Sequence, residues 1–213
     1  MPFKTYTILL LLFTLLLFCA CATTNYYTAQ VLEEDQSTIT AGFDNLLWIN
    51  SDEKDVPFSP SFGYSRGFPR QVEAGIRYYL PCLLEANIRR QLNPETFHYF
   101  DASLNGHIGS VITFTSWKYL FIPYFKIGAT VSKEFGKVQP FFSCYFNTNY
   151  TLEYEYEETL TCPSISFGIA IEHKKALFIP EFNYFKDSEM EKPIIMFGVG
   201  IRSIVKKRIE KSE

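Results

Sequence analysis

Phe121-Ile122-Pro123-Tyr124-Phe125-Lys126-Ile127-Gly128-Ala129-Thr130-Val131-Ser132 is the stretch whose reading decides the fold. Phe121, Pro123, Phe125, Ile127, Ala129 and Val131 share one parity, and Tyr124, Lys126, Gly128, Thr130 and Ser132 share the other. A period of two puts these sets on opposite faces of a strand, one apolar and the other mostly polar or small. No helical period of 3.6 organises the same residues.

The alternation spreads outward in both directions. Upstream it recurs over residues 38–44, 61–65, 72–79, 84–89 and 100–107, and downstream over 138–147, 164–172, 178–184 and 195–202. Short alternating runs separated by turn residues predict an all-β chain. With residues 121–132 they make ten strands, or eight if the first or second does not form. An even count returns both ends of an up-and-down barrel to one side.

Alternation alone does not say which face is inside. A soluble barrel is apolar within, and a membrane barrel is apolar without. Side-chain size breaks the tie. The polar face is rich in Gly, Ser and Asn, and the apolar face carries Phe, Tyr, Ile and Leu on nearly every strand. So many large groups would overfill the lumen of a small barrel, whereas a wall facing lipid has room for them. A closed barrel also satisfies every backbone group in lipid, which an open sheet does not. The expected fold is therefore an antiparallel up-and-down transmembrane β-barrel spanning residues 37–204 with its apolar face outward. Glu73, Arg77, Glu85, Arg89, Asp101, His107, Lys126, Glu172, Glu181 and Arg202 then form a polar network in the lumen.

Composition agrees. Of 213 residues 47% are hydrophobic and 17% aromatic, with 21 Phe and 14 Tyr, which excludes wholesale disorder. A net charge of −3 argues against nucleic acid as a partner, because that partner calls for a basic field. Three His and five Cys offer no metal-ligand spacing, and no cofactor is predicted.

The first twenty residues read as an export signal. Lys4 supplies the positive start, and residues 8–18 form an apolar run of signal-peptide length. Ala20-Cys21-Ala22 fits ordinary signal peptidase, and Leu17-Phe18-Cys19-Ala20-Cys21 resembles a lipobox that would place lipid on Cys21. The plain alternative leaves both cysteines passive in a cleaved peptide. A retained anchor fits less well, since no stop-transfer pattern flanks the run. Residues 21–36, mostly polar, are expected to be a tether, and 205–213 a charged tail. Cys82, Cys144 and Cys162 read as apolar fillers, with no disulfide framework implied.

The connections sort by end. Residues 67–69, 93–96, 134–137 and 173–175 read as short turns on one side. Residues 50–57, 108–117, 151–162 and 186–193 read as longer loops on the other, where the short 80–82 is the exception. Short periplasmic turns with longer outer loops fit a membrane barrel. Acids collect in the longer loops, among them Glu153, Glu155, Glu157 and Glu158, and bases such as Arg66, Arg70, Lys174 and Lys175 at the other end. The 153–158 acids suggest a cation site, but their spacing matches no calcium loop, so a solvated loop is the simpler reading.

Taken together, the export signal, the stretch Tyr26-Tyr27-Thr28-Ala29-Gln30-Val31-Leu32-Glu33-Glu34 and the first strand resemble the small outer-membrane β-barrel proteins of bacteria. That resemblance implies outer-membrane lipids as surroundings and barrel-assembly and lipoprotein-processing machinery as partners; a closed barrel needs no partner subunit to remove its edges, so a monomer is expected. Such barrels commonly end on an aromatic residue. Here the chain runs past Ile204, which leaves Phe197 or Ile201 as an internal substitute. Activity is harder to read. Asp101, Ser103 and His107 share one strand face and invite a Ser-His-Asp reading at a barrel rim. Steps of two residues separate them by about 7 Å each, too far for direct triad contacts. The function expected is that of a non-enzymatic barrel of structural, surface-interaction or narrow-pore type. Two alternatives stay open, a periplasmic lipocalin-like lipoprotein with an apolar ligand and a rim lipid hydrolase.

Overall fold

In a computed structural model of the protein, the described residues are 25–48, 58–80, 83–93, 99–115, 118–153, 156–185 and 194–205. The export segment, Cys21, the tail from residue 206 onward and most acids of the outer loops lie outside them.

Ten strands are present among these residues: β1 (Ser37–Trp48), β2 (Phe58–Phe68), β3 (Val72–Tyr79), β4 (Leu83–Gln91), β5 (Asp101–Thr115), β6 (Lys118–Ser132), β7 (Val138–Glu153), β8 (Tyr156–His173), β9 (Ala176–Phe185) and β10 (Ile194–Val205). Each pairs antiparallel with its chain neighbours, and β1 pairs with β10 from Ser37↔Val205 to Trp48↔Ile194, closing the barrel. Closure gives every strand a partner on both sides.

The two faces separate as their residue types dictate. Phe62, Ile76, Ile88, Ile108, Phe146 and Phe167 point outward, with Ile76 57% and Phe167 58% exposed. Phe142, Phe167, Phe182 and Phe197 hold paired positions on β7 to β10, and the last three contact one another with ring centroids 5.2 and 4.8 Å apart. Thr40, Ser65, Ser103, Asn105, Thr130, Ser143 and Ser166 are buried on the inner face. The lipocalin-like alternative requires the opposite arrangement, and the structure overturns it.

Bulky inward residues are seated by glycine. Tyr124, Tyr145 and Phe141 are buried, and each pairs across the ladder with a glycine: Gly109, Gly128 and Gly168. A Cβ at any of the three would collide with the ring beside it, so the aromatic covers the place a side chain would otherwise fill.

Two expected loops are strand instead. The stretch 108–117 is ladder up to Thr115 and resumes at Lys118, and 151–162 is ladder apart from residues 154–155. Val111, Ile112, Thr113, Phe114 and Thr115 favour extended backbone, as do Thr159, Leu160 and Thr161 opposite Tyr150, Asn149 and Thr148. At the other end, 134–137 and 173–175 are short turns as the sequence reading has them, the first turn falls at 69–71, two residues later than read, and 94–96 lie outside the described residues. Positive φ angles at Arg70 (65°), Gln71 (56°), Gly136 (64°) and Lys174 (57°) fall within or beside them.

Candidate functional site

The candidate site is the lumen, and part of this chain occupies it. The segment 25–32, read from sequence as part of a tether, lies inside the barrel. Asn25, Tyr26, Tyr27, Thr28, Ala29 and Leu32 are all buried, Tyr26 completely at 0% exposure. Burial leaves its main-chain groups without water, so the wall must satisfy them.

The segment turns in at the short-turn end. Asp35 N donates to Gly67 O, Gly67 N donates to Gln36 O at 2.9 Å, and Arg66 pairs with Asp35 at 2.6 Å in the open. From there it climbs. Leu32 N donates to Glu73 (3.1 Å), Val31 N to Gln91 (3.4 Å) and Ala29 N to Ser132 Oγ (3.0 Å). Arg89 Nη2 donates to the carbonyls of Thr28 and, at 3.3 Å, Gln30. Deepest lies Asn25, whose N–H and that of Tyr26 donate to the Glu181 carboxylate at 3.1 and 2.8 Å. Arg77 Nη2 donates to Asn25 O at 2.9 Å, and Lys126 Nζ to Asn25 Oδ1 at 2.7 Å.

Two tyrosines set the register. Tyr26 adopts φ of 53°, a strained value for a bulky residue that persists only where the surroundings enforce it. Its ring rests on Gly42 and Gly200, paired across β1 and β10, and its hydroxyl donates to Phe43 O at 2.6 Å and to Asp44. The ring of Tyr27 lies among three guanidinium groups: Arg89 at 4.4 Å, Arg77 at 4.9 Å and Arg202 at 5.1 Å. Such contacts are worth most where water is excluded. Asn87 Nδ2 donates to its hydroxyl at 3.3 Å.

The wall balances its own charge. Glu73, Glu85, Glu181 and Asp44 face Arg77, Arg89, Lys126 and Arg202, four acids against four bases among the buried described residues. Glu73 links Arg202 (2.7 Å) to Arg89 (3.4 Å), and Arg89 Nε continues to Asn105 Oδ1 at 3.2 Å. Asn105 donates to Thr130 Oγ1 (2.8 Å) and Tyr145 Oη (3.2 Å). Higher up, Glu85 accepts from Tyr124 Oη and lies 3.1 Å from His107 Nδ1, whose ring stands edge-on to Tyr145. Ion pairs and hydrogen bonds of this kind offset part of the desolvation cost of the buried charges.

Of the ten residues expected in the lumen, Glu73, Arg77, Glu85, Arg89, His107, Lys126, Glu181 and Arg202 are buried there. Asp101 is half-buried at the short-turn rim, accepting from Gln91 Nε2 at 3.2 Å. Glu172 is exposed, a correction that parity could not supply, because the end of β8 lies at the short-turn rim, open to solvent. The Asp101, Ser103 and His107 constellation is not assembled: Asp101 bonds Gln91, Ser103 bonds Asn105, and His107 faces Glu85. Among the described residues no group of His, Cys, Asp and Glu could hold a metal ion. The participants that sequence reasoning missed are Asn25, Tyr26 and Tyr27. The adjacent tyrosines in an otherwise polar stretch were the available signal.

No family model matches the chain, and no curated protein matches it. Among solved structures, the N-terminal β-barrel domain of Pseudomonas aeruginosa OprF is similar at 9% identity and a TM-score of 0.37, covering 82% of this chain and 100% of that one. The attachment invasion locus protein Ail of Yersinia pestis is similar at 12% identity and a TM-score of 0.36, covering 81% and 99%. The outer membrane protein OprG of Pseudomonas aeruginosa is similar at 9% identity and a TM-score of 0.38, covering 83% and 99%. The barrel assignment rests on the strand ladder itself.

Proposed function

We propose that the protein is an outer-membrane β-barrel whose lumen is closed by its own N-terminal segment, and that it acts as a structural or surface-interaction protein and not as an open pore. One observation carries this reading: bulky apolar side chains cover the outside while Glu73, Arg77, Glu85, Arg89, Lys126, Glu181 and Arg202 are buried within. A soluble monomer rarely exposes so continuous an apolar surface, and the hydrocarbon of a bilayer is the solvent that suits it. The filled lumen supports the second half, because the route an ion would take is occupied from Leu32 to Asn25. A rim hydrolase finds no support in the placement of Asp101, Ser103 and His107.

Export through residues 1–20, lipid on Cys21, passage through lipoprotein-processing and barrel-assembly machinery, outer-membrane lipids as surroundings and a monomeric state belong to the same proposal. Incorporation of labelled palmitate, lost in Cys21→Ser, tests the lipid separately from the barrel.

The barrel itself is tested by gel mobility in detergent, boiled against unboiled, on the Cys21→Ser chain taken from membranes. A shift on boiling, with the chain held in the detergent phase, is the expected result. An unshifted chain released without detergent overturns the membrane reading.

A further inference from the structure

The lumen holds residues 25–32 in a way that differs from ordinary core packing. Five of their main-chain N–H groups, those of Asn25, Tyr26, Ala29, Val31 and Leu32, donate to side chains of the wall. Three of their carbonyls, those of Asn25, Thr28 and Gln30, accept from Arg77 and Arg89. Recognition through the main chain with pockets for selected side chains is how proteins bind extended peptides. The pockets here are the glycine notch under Tyr26 and the guanidinium cage around Tyr27.

Two further observations bear on whether the occupant is permanent. Among the described residues the segment belongs to no strand, and the ten-strand ladder closes without it. Its departure therefore breaks no sheet hydrogen bond. Residues 25–32 also carry no charge, while the wall's four acids and four bases balance among themselves. Glu73 keeps Arg202 and Arg89 whether or not Leu32 is present. Glu181, Lys126 and Asp44, by contrast, hydrogen-bond the occupant itself, so they are the groups that meet the polar atoms of whatever segment fills the lumen.

We propose that the lumen is a binding site for an extended, uncharged peptide bearing two adjacent aromatic residues, and that residues 25–32 are its built-in, exchangeable occupant. Held by a four-residue link, the built-in copy competes at an effective concentration in the millimolar range, so an outside peptide enters where it matches that supply or where the link is cut. This inference rests on the plugged-barrel reading above.

The test uses a synthetic peptide of the sequence of residues 25–32 carrying a fluorophore at its C-terminus. Added to the chain lacking residues 25–32 in detergent, it binds saturably, and a peptide with Tyr27→Ala binds about tenfold more weakly because the cation contacts are lost. A second measurement stands if the shortened chain does not fold. In the full chain with Thr28→Cys and its other cysteines changed to serine, millimolar unlabelled peptide speeds maleimide labelling of position 28 severalfold. The Tyr27→Ala peptide does not. Absence of binding by a heat-modifiable shortened chain overturns the proposal, as does a labelling rate unchanged by peptide in the full chain. Loss of heat-modifiability in the full chain overturns the plugged-barrel reading instead, which keeps the two failures apart.

Discussion

Gly42 and Gly200 face each other across the β1–β10 seam, and the notch they leave is filled by the ring of Tyr26. Neither glycine is there for backbone freedom, since both lie in regular strand. They are there because a Cβ at either position would occupy the space of the ring. Gly200→Val should therefore expel Tyr26 or strain the seam, at a cost of about 1–3 kcal/mol from overpacking. The midpoint of urea unfolding in detergent reads the cost, and faster maleimide labelling at a Thr28→Cys reporter reads the loosened segment. An unchanged midpoint with unchanged labelling would show that the notch is not needed.

Glu73 is fully buried, and its carboxylate serves Arg202, Arg89 and the Leu32 N–H together. Glu73→Gln leaves two buried guanidinium groups without their shared counter-charge, and breaking a buried pair from one side costs about 3–5 kcal/mol. Removing Arg202 as well, in Glu73→Gln with Arg202→Gln, should recover part of that loss. A double-mutant cycle from unfolding midpoints measures the coupling, and strictly additive losses would deny it.

The ring of Tyr27 and its hydroxyl do different things. Tyr27→Phe keeps the face that meets Arg77, Arg89 and Arg202 and loses only the 3.3 Å hydrogen bond from Asn87. Tyr27→Ala loses all of it. The expected order of stability is wild type close to Phe, with Ala lower by about 2 kcal/mol or more for a desolvated cluster. If Phe proved as damaging as Ala, the hydroxyl and not the cage would hold the segment.

The outer surface is tested at Ile76, mid-strand on β3 and more than half exposed. In a bilayer, Ile76→Lys should cost about 2–4 kcal/mol if the position lies near the midplane. The same substitution on a water-facing wall should stay within about 0.5 kcal/mol. Unfolding from lipid vesicles separates the two, and a neutral result would argue against lipid at that face.

How much of this was legible in the sequence follows from which interactions are local. Alternation in 121–132 identified β6 and its lumen-facing Lys126 because side-chain direction along a strand needs only parity. Parity also identified Glu73, Arg77, Glu85, Arg89 and His107. It failed at Glu172, where the strand is still paired with Leu177 but the position lies at the short-turn rim, open to solvent. The outer ends of β5 to β8 were taken for loops because Gly109, Ser110, Pro163 and the glutamates of 153–158 interrupt the apolar rhythm. Across the seven residues 147–153 of β7 the partner strand pairs all the same. The occupant was hidden for a different reason. Residues 25–32 have no period, and what holds them is contributed by β1, β3, β4, β6, β9 and β10, up to 175 residues away, from Tyr27 to Arg202. No window of sequence contains that information.

Position along the chain gives the occupied lumen a consequence for the order of assembly. The occupant directly precedes β1, and β1 is one of the two strands whose meeting closes the barrel, Ser37 finding Val205 at the far end of the ladder. Pairings so distant in sequence form late. When that last pairing forms, residues 25–32 are already tethered at its edge. The pairing that seals the barrel thus also carries the segment to the mouth of the lumen it fills.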